Sequence, residues 1–255
     1  MHSLSKARPF RLFSTNSRGL NPRKLKQLLN LFDHNSTDAV LIQETRHLNL
    51  TKFKPLLPTH IQLHSNPVGL GTAILSNSNS THRFEISSKN LGCISSQVLK
   101  LFSQKEPPKI IQNVYIPPSV AVKTPQLTKL FEHADVIAGD INTHLPLWSR
   151  LGHSRKKTDR SLQFSQFLEK TDFLSVYGPE LETFKTQKGL LGGSPDVVLT
   201  RPNLLTTAYG TRCFIADHRG LKFSLCPGGD GTGPLDEPKK NRKTFLNLKN
   251  LPNQN

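Results

Sequence analysis

Short apolar runs that stop on a polar residue recur along this chain more often than helical stripes do. PFRLFS (residues 9–14) alternates as a strand, and DAVLIQE (38–44) is a buried-type strand that ends on a charge. IQLHS, GTAILS, CISSQVLKLF, KIIQNVY, DVIAGD, DVVLT and LKFSL have the same character. NPRKLKQLLNLFDH (21–34) is helical instead. Asn21 caps it, Pro22 takes the first position, and Leu25, Leu28, Leu29 and Phe32 share a face. Thr124 and Pro125 open a second helix reaching about His133. DRSLQFSQFLEK (159–170) is a third, with Leu162, Phe164, Phe167 and Leu168 near one side. The Asn/Ser run 77–80 is a turn. Strands outnumber helices and the two are mixed, which predicts an α/β or α+β sandwich with helices on the outer sheet faces.

Composition divides the chain. The first eight residues read as an unstructured leader, residues 9–226 as one folded domain, and residues 227–255 as a linker toward a downstream region. Within the linker, KKNRK (239–243) is either a nuclear signal or phosphate-binding arm, or a solvated linker segment. Lys and Arg total 34 against 18 acids, a net charge of +16, so a polyanionic partner is expected. An anionic membrane would also suit. No apolar run is long enough to span one and no basic amphipathic helix is visible, so nucleic acid is favoured. Cys93, Cys213 and Cys226 are scattered without a CxxC, which fits an intracellular protein with inert thiols and makes zinc unlikely as a ligand.

The strands end on oxygen-bearing side chains: Asn16, Glu44, Tyr115 and Asp140. A strand that is apolar until it stops on a carboxylate or amide is a common way for an α/β protein to build a site. In VIAGDINTH (136–144) the polar residues Asp140, Asn142 and His144 alternate, so a continuing strand would point them the same way.

Taken in order, STNSRGL, VLIQET, GLGTAIL, NVYIPPS, GDINTHLPLWS, SPDVVLT and ADHRGL resemble the motif series of the endonuclease/exonuclease/phosphatase superfamily. Within it the chain most resembles the apurinic-type endonuclease domain of non-LTR (LINE-like) retrotransposons, from about Phe10 to Leu225. That resemblance implies a DNase I-like, four-layer α/β/β/α sandwich of two facing mixed sheets. It implies that Glu44 is the metal carboxylate with Asn16 beside it, and that Tyr115 contacts the scissile phosphate. Asp140 would align and deprotonate the attacking water, helped by Asn142. His218 would sit on the phosphate oxygens, oriented by Asp196, and Asp217 would lie by metal and phosphate.

The chemistry is consistent. Phosphodiester cleavage needs in-line attack and charge stabilisation. A hard cation held by few carboxylates suits Mg²⁺, with Mn²⁺ as a substitute. An Asp behind a His favours the protonated imidazole. The resemblance further implies an endonuclease that nicks one strand of double-stranded DNA in the nucleus. Its 3′-hydroxyl would prime reverse transcription by a covalently linked reverse transcriptase domain. An apurinic-site repair endonuclease, another phosphodiesterase of the superfamily, and a decayed DNA-binding module are the alternatives.

Three positions depart from the family pattern. Gly193 and Ala216 stand where hydroxyl residues are usual, so a more loosely held His218 is expected, and Thr15 replaces a usual aromatic. RLGHSRKKTDR (150–160) follows the site strand, so Arg150, Arg155, Lys156, Lys157 and Arg160 are expected on the DNA backbone, against the alternative of a solvated face. His144 is either an accessory histidine on the same rim or a turn residue. Trp148 is expected to pack rather than stack on a base.

Overall fold

The structure, a computed structural model, describes residues 8–32, 37–46, 50–104, 106–143, 158–177, 181–185, 193–202, 204 and 206–226. In chain order the elements are β1 (Phe10–Asn16), α1 (Pro22–Leu29), β2 (Ala39–Gln43), α2 (Leu50–Phe53) with a 3-10 turn (Lys54–Leu56), β3 (Ile61–Asn66), β4 (Thr72–Asn77), β5 (Phe84–Ser88), β6 (Ser95–Leu101) and β7 (Lys109–Tyr115). There follow α3 (Thr124–Phe131), β8 (Val136–Asp140), α4 (Asp159–Lys170), β9 (Leu174–Ser175), β10 (Asp196–Thr200), β11 (Thr206–Ile215) and β12 (His218–Leu225).

Two six-stranded sheets result, in the orders β11-β12-β1-β2-β4-β3 and β5-β6-β7-β8-β10-β9. Each sheet holds one parallel pair among antiparallel neighbours. β1 runs parallel to β2 in the first, and β7 parallel to β8 in the second. A parallel pair needs a crossover, which α1 and α3 supply.

Alternation along the strands sorts side chains into layers. Leu12, Leu41, Ile74, Leu99, Ile111, Val136, Val198 and Phe223 are fully buried in a core that unites the two sheets. Phe13, Val40, Ile42 and Leu75 point the other way, onto Leu25 and Leu28 of α1. Val114, Ile137 and Leu199 likewise meet α3 and α4 through Leu127, Phe131, Phe164 and Phe167. This gives the expected α/β/β/α order. Each fully buried large side chain contributes about 1.5–3 kcal/mol relative to exposure.

A polar tie crosses the core near the site. Gln43 Nε2 donates to Asn113 Oδ1 at 2.7 Å and to Ser14 Oγ at 3.1 Å. Asn113 Nδ2 donates in turn to the Ala73 and Ile42 carbonyls. Two sheets with apolar facing surfaces could slide; this buried network fixes their register where the site requires it.

Several expectations need correction. α1 ends at Leu29, not residue 34, because Leu31 and Phe32 bond the carbonyls three residues back and tighten the ladder while Phe32 stays buried. α2, β5, β9 and β11 carried too little periodicity to be read; β5, for example, is half exposed along its length. The leader is held down at its last residue, where Arg8 grips the buried Asp38 carboxylate at 2.5 and 3.2 Å. Residues 1–7 and 227–255 lie outside the described residues.

Candidate active site

The carboxyl ends of both parallel pairs open at one end of the sandwich. Asn16 ends β1 opposite Gln43, the residue before Glu44. Tyr115 ends β7 opposite Asp140, which ends β8 and faces Asp196 at the start of antiparallel β10. His218 starts β12, antiparallel to β1. Among the described residues, five non-glycine residues have positive φ: Arg18, Glu44, Arg46, Asn142 and Ala216. All five sit in the loops at this end. Such conformations cost about 1–3 kcal/mol each and cluster where geometry is functional.

Asp140 is at the centre and almost completely buried. Its Oδ2 accepts from Asn16 Nδ2 at 2.6 Å and its Oδ1 from the Asn142 N–H at 2.7 Å. Burial and the nearby Asp196 charge push its pKa up to about 7, against the pull of His218 and these donors. His218 Nδ1 bonds Asp196 Oδ2 at 2.9 Å and Oδ1 at 3.1 Å. Burial works against the imidazolium, but Asp196, with Asp140 and Asp217 behind it, outweighs burial and raises the His218 pKa to about 9. The site therefore places a carboxyl that can take a proton near neutral pH beside an imidazole that stays charged.

Asp196 is itself oriented. Thr183 Oγ1 donates to Asp196 Oδ2 at 2.6 Å, and the Asp196 N–H returns to Thr183 Oγ1 at 3.4 Å. Thr183 thus supplies the hydroxyl missing at Gly193, whose carbonyl accepts from the Thr183 and Phe184 N–H groups instead. The Phe184 ring lies 5.3 Å from the His218 ring and walls it in. His218 is therefore held despite Gly193 and Ala216, and the expectation of loosening is corrected.

Tyr115 is buried, and its hydroxyl hydrogen-bonds with Glu44 and Asn142. Burial, then the charges of Glu44 and Asp140, raise its pKa, so it stays a neutral phenol. Glu44 Oε2 accepts from Asn16 Nδ2 at 3.1 Å, and Glu44 Oε1 accepts from Arg46 Nη2 at 2.7 Å. Asp217 pairs through Oδ2 with Arg18, while its Oδ1 is buried without a hydrogen-bond partner.

A buried carboxylate oxygen without a hydrogen-bond partner, 3.8 Å from His218 Nε2, fits a hard cation, and Glu44 and Asp217 are the groups to hold one. Asp140, Asp196 and His218 also bring ligand atoms within 4.8 Å of one another. That set suits proton transfer better than coordination, because an imidazolium cannot ligate a cation.

The structure places other expected residues differently. Asn16 braces the site, since the Arg18 N–H holds its oxygen at 2.8 Å and turns its NH₂ onto Glu44 and Asp140, away from a metal-ligand role. Asn142 is not on a continuing strand; β8 stops at Asp140, and Asn142 turns with φ 46° to donate Nδ2 to the Ile116 carbonyl. Glycine is required at 139 because a Cβ there would lie 2.0 Å from the Val114 carbonyl oxygen of β7.

Arg160, expected on DNA, turns inward. Its Nη2 donates to the carbonyls of Pro117, Pro118 and Val120 at 2.5–2.8 Å, and its Nη1 reaches those of Ile141 and Asn142 at 3.3 Å. His144, Arg150, Arg155, Lys156 and Lys157 lie outside the described residues. Sequence reasoning missed Thr183, Arg18 and Arg46. Arg18 stands inside the quoted STNSRGL and Arg46 directly follows VLIQET, but Thr183 lies in a stretch without periodicity.

Comparison with known proteins finds the same fold. The family described as "Endonuclease-reverse transcriptase" matches residues 109–222, from β7 into β12. The 3′ phosphatase NExo from Neisseria, bound to product DNA hairpin, aligns with a TM-score of 0.58 at 15% identity over 85% of this chain and 99% of that one. Humanized D. rerio TDP2 aligns with a TM-score of 0.59 at 12% identity over 85% and 98%. An endonuclease/exonuclease/phosphatase from Beutenbergia cavernae gives 0.58 at 14% identity over 88% and 72%. No curated protein matches by sequence. At 12–15% identity, these solved structures show that the chain shares their two-sheet α/β sandwich fold.

Proposed function

We propose that this domain is a Mg²⁺-dependent endonuclease that nicks one strand of double-stranded DNA and leaves a 3′-hydroxyl. The observation that carries the reading is the buried Asp140 beside the Asp196–His218 pair: a base and a charged donor with protonation preferences set apart by their surroundings. Water attacks phosphorus in line, Asp140 accepts its proton, and the bond from phosphorus to the 3′-oxygen breaks, the released 3′-oxygen taking a proton from solvent. His218 donates hydrogen bonds to the phosphoryl oxygens while Asp196 holds its ring, and the Tyr115 phenol offers a second donor. Glu44 and Asp217 would hold the cation, which supplies charge neutralisation at the leaving oxygen.

The matched family's description and the order of the motifs support a place in a retrotransposon, where the new 3′-hydroxyl primes a linked reverse transcriptase on chromosomal DNA in the nucleus. The net charge of +16 supports a polyanionic substrate. The likeness to a 3′ phosphatase bound to a DNA hairpin favours one rival, in which the site processes strand ends. Supercoiled plasmid, an abasic duplex and a 3′-phosphorylated hairpin, each supplied with Mg²⁺, separate these readings. Faster turnover of intact plasmid, with ends that a polymerase extends directly, is expected. Preference for the abasic or 3′-phosphorylated substrate contradicts it.

A further inference from the structure

Two arginines occupy the carboxylates to which a cation would bind. Arg46 Nε and Nη2 lie 3.1 and 2.7 Å from Glu44 Oε1, and Arg18 Nη1 pairs with Asp217 Oδ2. The carboxylates are largely enclosed, with side chains 10% and 19% exposed, whereas Arg46 and Arg18 are 50% and 49% exposed. The guanidinium groups therefore cap the site from the solvent side.

Their backbones are fixed. Arg18 and Arg46 both have positive φ, at 44° and 50°. The two turns are zipped together by Ser17 N–H to Gln43 O at 2.9 Å, Gly19 N–H to Glu44 O at 2.7 Å and Leu20 N–H to Thr45 O at 3.1 Å. The Arg46 N–H is anchored on Leu70 O at 2.7 Å. Lys24 Nζ closes the first turn from below by donating to Ser17 O and Gly19 O at 2.6 and 3.0 Å. Gly19 leaves room for the Arg46 stem, whose Cδ would stand 3.3 Å from an added Cβ.

A rigid, strained mount under two half-exposed heads is more than an ion pair requires. Half-exposed pairs of this kind are worth about 0–1 kcal/mol, so exchange is cheap. A divalent cation attracts both carboxylates more strongly than a guanidinium does, and a displaced guanidinium offers a planar fork that suits phosphate.

We propose that Arg18 and Arg46 are exchangeable counter-cations: they hold Asp217 and Glu44 while no metal is bound, and when a divalent cation takes these carboxylates they turn to the phosphates of DNA. This rests on the reading of the site as a metal-dependent DNA hydrolase. It makes metal and DNA binding mutually supportive, with the two arginines as the coupling groups.

Calorimetric titration of the full chain with Mn²⁺ alone tests the first half. Arg46→Gln removes a competing charge and is expected to bind Mn²⁺ about tenfold more tightly than the unsubstituted chain. Arg46→Lys keeps the charge and loses the fork, so its Mn²⁺ affinity stays close to the original. It also serves as the fold control, with its unfolding midpoint compared alongside.

Fluorescence anisotropy of a labelled duplex, in an Asp140→Asn background that spares the DNA, tests the second half. Mn²⁺ is expected to tighten DNA binding by about tenfold with both arginines present, and not at all in Arg18→Gln/Arg46→Gln. Unchanged or weaker Mn²⁺ affinity in Arg46→Gln overturns the proposal, as does a Mn²⁺-dependent gain in DNA affinity that survives the double substitution. Nicking by the unsubstituted chain does not depend on either outcome, so failure here is distinct from failure of the nuclease reading.

Discussion

Asp196 controls the protonation of two neighbours at once. Its charge joins burial in raising Asp140 to about 7, and it overcomes burial to raise His218 to about 9. Asp140 must be ionised to accept the proton, so activity rises as pH increases through about 7. His218 must be protonated to donate, so activity falls as pH increases through about 9. A bell-shaped profile of the nicking rate with those limbs is the expected result. Asp196→Asn removes a charge that raises both groups, so both limbs move to lower pH. A profile that loses amplitude without moving assigns Asp196 to packing alone. Thr183 belongs to the same unit, and its role depends on a loop bringing residue 183 to residue 196, which no local pattern announces.

At the scale of elements, α4 does more than cover the second sheet. Arg160 in its first turn gathers the carbonyls that follow β7 and β8, the strands that deliver Tyr115 and Asp140. Arg160→Ala removes the Arg160 donors from these carbonyls, of which Pro117 O keeps the Val120 N–H, at a cost of about 1–3 kcal/mol. Thermal unfolding should show that loss, and steady-state kinetics should show a lower kcat with KM for DNA little changed. A raised KM with an unaltered unfolding midpoint would return Arg160 to the DNA backbone.

The strand ends were legible because a buried strand stays apolar until a site interrupts it, as VLIQ-Glu44 and VIAG-Asp140 do. Edge strands were less so. β5 is half exposed, and β11 places its polar and apolar residues without strict alternation, so neither shows the pattern that marks a strand. The Arg160 clamp was misread because a basic run beside a site has the same composition whether its side chains face DNA or carbonyls.

Across the whole molecule, two sheets of matching plan meet face to face, and each contributes the carboxyl ends of its one parallel pair to a common rim. The first sheet brings Asn16, Glu44 and His218; the second brings Tyr115, Asp140 and Asp196. The buried Gln43–Asn113 bond locks the two halves directly beneath. The order of the motifs carried the sandwich architecture, whereas the Arg18 and Arg46 caps emerge only once the loops after β1 and β2 are seen zipped together.

The central claim is that this rim hydrolyses DNA through Asp140. The direct measurement is the initial rate at which supercoiled plasmid becomes open circular in Mg²⁺ near pH 8, for the unsubstituted chain and for Asp140→Asn. Loss of the base should slow nicking by at least about a hundredfold. Equal rates in the two proteins, or no open circles from the unsubstituted chain, would contradict it.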